Sequence, residues 1–190
     1  MPEWQTVEEF QLIQEAQCGN AEAFGELYER YAPSIFRFLY AHLSDRLDAE
    51  DLTEEVFLRT WRSLGGYKEK GLPFRAFLYR IAHNLLVDFY RSSKRTLLVE
   101  DADENILRDE QAESGTLAAA NLEHQELRQT LQNLRADYQT VLVARFLADM
   151  SPDETASLMG KSVGAVRVLQ HRALLALRKL IEKQKDIENV

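Results

Sequence analysis

His83, Asn84 and Asp88, with Ser92 and Ser93 close behind, are the residue types a hydrolase would need. Their spacing lays them along a single helix, where side chains four apart share a face but no separate oxyanion site arises. The chain has no Gly-x-Ser-x-Gly turn and no glycine-rich phosphate loop. The four histidines, at 42, 83, 124 and 171, are too scattered for a metal site without acidic partners at ligand spacing. No catalysis, metal or cofactor is expected.

A different chemistry, hydrogen bonding to base edges and phosphates, is offered by residues 151–178, SPDETASLMGKSVGAVRVLQHRALLALR. Ser162, Val163, Arg167, Gln170, His171 and Arg178 lie along or beside one side of a helix, and Lys161, Arg172 and Lys179 add positive charge near it. Residues 74–95, FRAFLYRIAHNLLVDFYRSSKR, offer a second version. Aromatics at 74, 77, 79, 89 and 90 stand beside cations at 75, 80, 91, 94 and 95, the combination that stacks unpaired bases and holds their backbone. Phe74, Phe77 and Phe89 are expected to be core instead.

Positioning these side chains needs well-defined helices. Ser151 is an N-cap, Pro152 stands at the first helical position and Glu154 completes a capping box. Gly160 ends that short helix and Ser162 caps a longer one, which is the helix-turn-helix arrangement. Ala156 is small where the two helices must approach, while Met159, Val166 and Leu169 fall where apolar residues pin the second helix to the first.

The rest of the chain also reads as helix, because apolar residues recur at three- and four-residue spacing with no sustained alternation. A first helix starts with Thr6 and Glu9 at capping-box spacing and runs out near Cys18-Gly19-Asn20. Asn20 caps a second, with a stripe of Phe24, Leu27, Tyr28, Tyr31, Ile35, Phe36 and Leu39 and a bend expected at Pro33. Asp48 caps a third, in which Leu52, Val56, Leu58 and Trp61 face inward. Gly65 to Pro73 is a loop, and Phe74 to Ser92 a fourth helix. Leu127, Leu131, Leu134, Tyr138, Val141, Leu142 and Phe146 supply two further stripes, broken near Leu134-Arg135-Ala136.

The expected fold class is therefore all-α, with two small helical domains joined by an acidic linker. The boundaries read as 1–96 for the first domain, 97–122 for the linker and 123–190 for the second. Charge follows this division: residues 74–96 carry +4 and 161–185 carry +6, whereas 1–73 carry −7 and 97–126 carry −8. The total of −8 argues against indiscriminate coating of nucleic acid, but two compact basic segments suit contact with phosphates at two places. A single cysteine, Cys18, excludes an internal disulfide and favours a reducing, cytoplasmic home. No apolar run reaches the roughly 18 residues that span a bilayer, so no membrane insertion is expected.

The succession AFGELYERYAPSIFRFL, DAEDLTEEVFLRTWRSL, FRAFLYRIAHNLLVDFYRSSKR and SPDETASLMGKSVGAVRVLQHRALLALRKL resembles the extracytoplasmic-function (ECF) sigma factors of bacterial RNA polymerase over nearly the whole chain. The resemblance implies a first domain that binds core polymerase and melts the minus-ten element. It implies a second that reads the minus-thirty-five element. Core binding would fall to Asp48, Glu50, Asp51, Leu52, Glu54, Glu55 and Phe57. The minus-ten strand would meet Tyr67, Arg80, Asn84, Arg91, Lys94 and Arg95, with Tyr67 and Asn84 at a pocket for a flipped base. The minus-thirty-five duplex would meet Ser162, Val163, Arg167, Gln170, His171 and Arg172. Core polymerase, promoter DNA and an anti-sigma factor are the implied partners. Many members carry Gly-Thr-Val-Lys-Ser-Arg where this chain has Gly164-Ala165-Val166-Arg167-Val168-Leu169, which removes two polar groups from the recognition helix. Two other functions fit the residues alone: a stand-alone helix-turn-helix regulator and a helical adaptor that binds only protein.

Overall fold

The computed structural model describes residues 7–68, 73–97 and 126–188, all helical or short connections with no strand among them. The helices are α1 (Val7–Gln17), α2 (Ala21–His42), α3 (Arg46–Ser63), α4 (Phe74–Leu97), α5 (126–132), α6 (Ala136–Leu142), α7 (Pro152–Met159) and α8 (Val163–Glu188). A 3-10 turn, Leu64–Gly66, prolongs α3, and a single π turn, Val143–Leu147, prolongs α6. The expected cap at Thr6 lies outside the described residues, as does the tether expected over 97–122 apart from Leu97, which is the last residue of α4.

Local signals account for most boundaries. Gly19, at φ +91°, turns the chain out of α1, and Asn20 Oδ1 then accepts from the amides of Glu22 (3.0 Å) and Ala23 (3.2 Å) to open α2. α2 passes through Pro33 as one helix. Two boundaries differ from expectation. α3 begins three residues before the predicted start because Asp45, not Asp48, is its cap, accepting from the Leu47 amide at 2.8 Å. Both aspartates suit a helix N-terminus, so residue type alone does not choose between them. α4 continues past Ser92 to Leu97, with no glycine or proline to stop it.

α1 to α4 enclose the larger core, built on Leu27, Ile35, Phe38, Leu39, Val56, Phe74, Leu78 and Tyr79. Phe38 and Tyr79 meet edge to face at 5.2 Å between centroids, a favourable aromatic geometry. Phe77 and Phe89 are half-buried against this core, as expected. Leu58 and Trp61, predicted inward, are 49% and 37% exposed, because α3 buries Ala49, Thr53, Val56, Phe57 and Thr60 instead. The second core joins Leu131, Leu134, Val141 and Leu142 to Ala156, Val166 and Ala173. Phe146, another inward candidate, is 59% exposed on the π turn, and Leu127 is exposed on α5.

The two domains are in direct contact. Gln139 through Ala144 are all buried, the segment being covered on both sides: Val141 and Leu142 pack in the second core, Val143 and Ala144 in the first, and Gln139 and Thr140 are hydrogen-bonded. Ala148, Met150 and Leu158 follow Val143 into the first core. Around them, side chains of the second domain satisfy carbonyls in the last turn of α2 and just past it, where the helix offers no internal partner. Gln139 Nε2 donates to the Ala41 carbonyl (2.9 Å), Gln132 Nε2 to Leu43 (2.7 Å) and Arg128 to Ser44 (3.4 Å). The Arg128 guanidinium also lies 4.1 Å from the centre of the Tyr40 ring. At the start of α4, Arg75 bridges to both carboxylate oxygens of Glu154 (3.1 and 3.2 Å) and to the Asp149 carbonyl (3.3 Å).

Candidate nucleic-acid interface

The helix-turn-helix is built as its caps require. Ser151 Oγ accepts from the Glu154 amide (3.1 Å), and Glu154 Oε2 accepts from the Ser151 amide (2.7 Å). Gly160 adopts the left-handed conformation, φ +61° and ψ +35°, which a side chain would strain. Ser162 Oγ then accepts from the Ala165 amide at 3.2 Å and starts α8. Ala156, Val166 and Ala173 are buried between α7, α8 and the helices behind them, with Met159 and Leu169 packed at the margin.

The opposite side of α8 is open. Ser162, Arg167, His171 and Arg172 are exposed, together with Gly164, Val168, Arg178 and Lys179. Arg167 and Arg172 make no ion pair among the described residues, whereas Arg178 pairs with Glu182 at 2.8 Å. Two expected contacts face elsewhere. Val163 packs against the second core, and Gln170 is half-buried with its carbonyl oxygen held by Arg145 Nε at 3.3 Å. Both stand a turn's fraction off the exposed line, where a side chain meets the supporting helices first. Val168 shows the reverse, an apolar residue that sequence reading counted only as a lost polar group.

On α4, Arg80, Asn84 and Arg91 are exposed and share one face at intervals of four and seven residues. Asp88 stands on the same face, 4.0 Å from Arg91. Tyr67 is half-buried beside the start of this face, its ring 5.0 Å from Phe77 and 5.7 Å from Phe74. Gln17 Nε2 holds the Tyr67 carbonyl at 2.8 Å, so α1 positions the loop from behind. The side chains of Lys94 and Arg95, and the loop tip 69–72, lie outside the described residues. Tyr79 is buried and Arg75 is occupied by Glu154, so neither offers itself to a strand. Tyr90 donates to the carbonyl of His42.

The would-be hydrolase residues are ordinary parts of this helix. Burial lowers the His83 pKa, and its Nδ1 has no hydrogen-bond partner among the described residues. His42, buried where α2 meets the second domain, has Nδ1 2.8 Å from the Phe38 carbonyl and Nε2 3.4 Å from Thr140 Oγ1. Burial holds its pKa down to about 4. No cluster of three or more His, Cys, Asp or Glu side chains that could hold a metal occurs among the described residues.

α3 presents Asp51 and Glu54 to solvent, with Asp48, Glu50, Leu52 and Glu55 half-buried. Glu50 is paired with Arg46 (2.8 Å) and Glu55 with Arg59 (2.7 Å). Phe57, expected on the same contact surface, is only 3% exposed, its ring 4.7 Å from Tyr28. It floors a groove of about 290 Å³ between α2 and α3 whose walls include Phe24, Leu58, Trp61 and Glu54. Leu58 and Trp61 are exposed because they line this groove. Their apolar character read as core, and nothing in their spacing marks a rim. Tyr28 donates to Glu54 at 2.6 Å, and that bond raises the phenol pKa.

Residues 27–96 match the family Sigma-70 region 2, and residues 124–177 match Sigma-70, region 4. The ECF RNA polymerase sigma factor SigD of Mycobacterium tuberculosis is 32% identical over 173 residues, covering 88% of this chain and 81% of SigD. The chain belongs to the ECF RNA polymerase sigma factors. The ECF sigma factor BldN of Streptomyces coelicolor is 34% identical over 171 residues, 90% of this chain but only 65% of BldN. Among solved structures, CnrH in complex with the cytosolic domain of CnrY superposes with a TM-score of 0.72 at 27% identity, covering 93% of this chain and 99% of CnrH. The region 2 match ends within α4, and the region 4 match takes in α5 to α7 and the first part of α8, through residue 177. No helix among the described residues of this ECF sigma factor is long and apolar enough to cross a membrane.

Proposed function

We propose that this ECF sigma factor binds core RNA polymerase and directs it to a set of promoters, residues 1–96 melting the minus-ten element and residues 123–190 reading the minus-thirty-five duplex. The observation that carries this reading is the outer side of α8, where exposed Arg167 and Arg172, without an ion pair among the described residues, flank residues able to meet base edges. Asn84 between Arg80 and Arg91 supplies the second, single-strand face. The acidic and apolar surface of α3, with Asp51, Glu54 and the groove beside them, suits a basic helical surface on the polymerase. The chain itself carries out no chemistry, works in the cytoplasm and is held in reserve by an anti-sigma factor. CnrH is seen with the cytosolic domain of CnrY, which supports the last point.

The contact between the domains must then be released on loading. Elements about 25 base pairs apart are separated by about 85 Å of B-form duplex, whereas a compact chain of this length has a radius of gyration near 16 Å. The chain between Leu97 and residue 126 reaches on the order of 90 Å when extended, enough to span the gap. Part of the interface is hydrogen bonding to carbonyls at the end of α2, for which water substitutes; release also exposes Val143, Ala144, Ala148, Met150 and Leu158.

Reconstitution tests the proposal. Purified core polymerase plus this protein should transcribe promoters recovered from a randomised library, while core alone should not. A reconstituted enzyme that leaves every template closed and silent would refute it.

A further inference from the structure

α8 carries an apolar side chain where the fold has no use for one. Val166 is fully buried and Leu169 packs on the second core, but Val168 is 52% exposed. At about 100° per residue, Val168 projects with Gly164 and His171 from the side opposite Val166 and Ala173. Cations border that line on both sides, Arg167 on one and Arg172 on the other, with Lys161 in the turn just before the helix, all exposed.

Gly164, one turn before Val168, has open space where a Cβ would stand, so the backbone of the first turn is free to come close to a ligand. Phosphates offer nothing to an isopropyl group. In the major groove the apolar feature on a base edge is the 5-methyl group of thymine, and residues near the start of a recognition helix are those that reach base edges.

We propose that Val168 reads the methyl group of a thymine in the upstream promoter element, an inference that rests on the docking of α8 proposed above. The cations beside it hold the helix to phosphate and guanine, and Val168 discriminates thymine from cytosine at one position. Discrimination would then come from apolar contact rather than from hydrogen bonding at that position.

Upstream elements are first selected from a randomised duplex library by transcription with core polymerase and the full chain. Each thymine of the selected element is then replaced singly by deoxyuridine, which removes only the methyl group, and binding of the holoenzyme is measured by competition. One replacement should weaken binding about fourfold, the equivalent of one buried methyl group. With Val168→Ala that loss should fall below about 1.5-fold while the salt dependence is unchanged. With Leu175→Ala, a change further along the same exposed line, the loss should persist. Indifference to uracil at every thymine, or a penalty that survives Val168→Ala, overturns the assignment of Val168 while leaving the docking of α8 intact. A selected element without thymine does the same. If selection yields no upstream preference, the docking of α8 fails, and the inference with it.

Discussion

α4 and α8 are both long, basic helices, yet they treat their charge differently. Arg75, at the start of α4, is spent inside the molecule on Glu154, whereas Arg167, near the start of α8, faces solvent with no carboxylate partner among the described residues. α4 also buries Phe74, Leu78, Tyr79, Ala82, Leu85 and Leu86 along its inner side, so among its described side chains the cations and amide left for a ligand are those on the line of Arg80, Asn84 and Arg91. Among the described side chains of α8 two are fully buried, Val166 and Ala173, and the helix shows a much larger outer face. A run of Lys and Arg therefore does not by itself measure an anion-binding surface; the partner already in place decides which cations are available.

Acid should break the contrast most strongly, because it acts on the contact between domains rather than on the open helix. His42 has a folded pKa near 4 against an ordinary value of 6.5. Below 6.5 the unfolded chain binds the proton that the folded chain refuses, so stability is full above that pH and falls as pH drops toward 4. The loss is on the order of 3 kcal/mol. Urea unfolding across that range should show it, and a His42→Gln variant should flatten the slope.

Glu154→Ala removes both the reciprocal cap of α7 and the partner of Arg75. It should cost about 2 kcal/mol in urea unfolding and increase amide exchange in α7. Cations on the two helices should then part company: Arg167→Ala should weaken upstream-element binding by about 1 to 3 kcal/mol if it reads a base, or lower the salt slope by about one if it touches phosphate. Arg75→Ala should leave that slope unchanged. Equal effects of the two substitutions would erase the distinction between the helices.

On the open line of α4, Asn84→Ala should slow open-complex formation by about 1 kcal/mol, roughly fivefold, with core binding intact. Permanganate reactivity of the minus-ten strand follows this directly, and normal melting would remove Asn84 from the pocket. The smallest effect separates two valines on α8. Val168→Ala should change stability by less than about 0.5 kcal/mol, whereas Val166→Ala, in the core, should cost about 2 kcal/mol.

The helix-turn-helix was legible in sequence because its signals are local: Ser151, Pro152, Glu154 and Gly160 cap a helix through their own neighbours. Asn20 worked in the same way, while Asp45 and Asp48 competed for one role and the choice fell to packing. The domain contact was not legible. Gln139 meets a carbonyl 98 positions away and Arg75 a carboxylate 79 positions away, and nothing in local spacing announces such pairs. The same holds for Val163 and Gln170, whose side chains turn to supports on other helices, and for Leu58 and Trp61, which line a groove while looking like core.

A nuclease footprint on a selected promoter, with and without core polymerase, tests the central claim most directly. One helix-turn-helix on a chain of net charge −8 is too small and too acidic a ligand to hold duplex alone. The holoenzyme should protect the minus-thirty-five and minus-ten elements together, and the free chain neither at the same concentration. Equal protection of the upstream element by the free chain would contradict this and identify a stand-alone regulator.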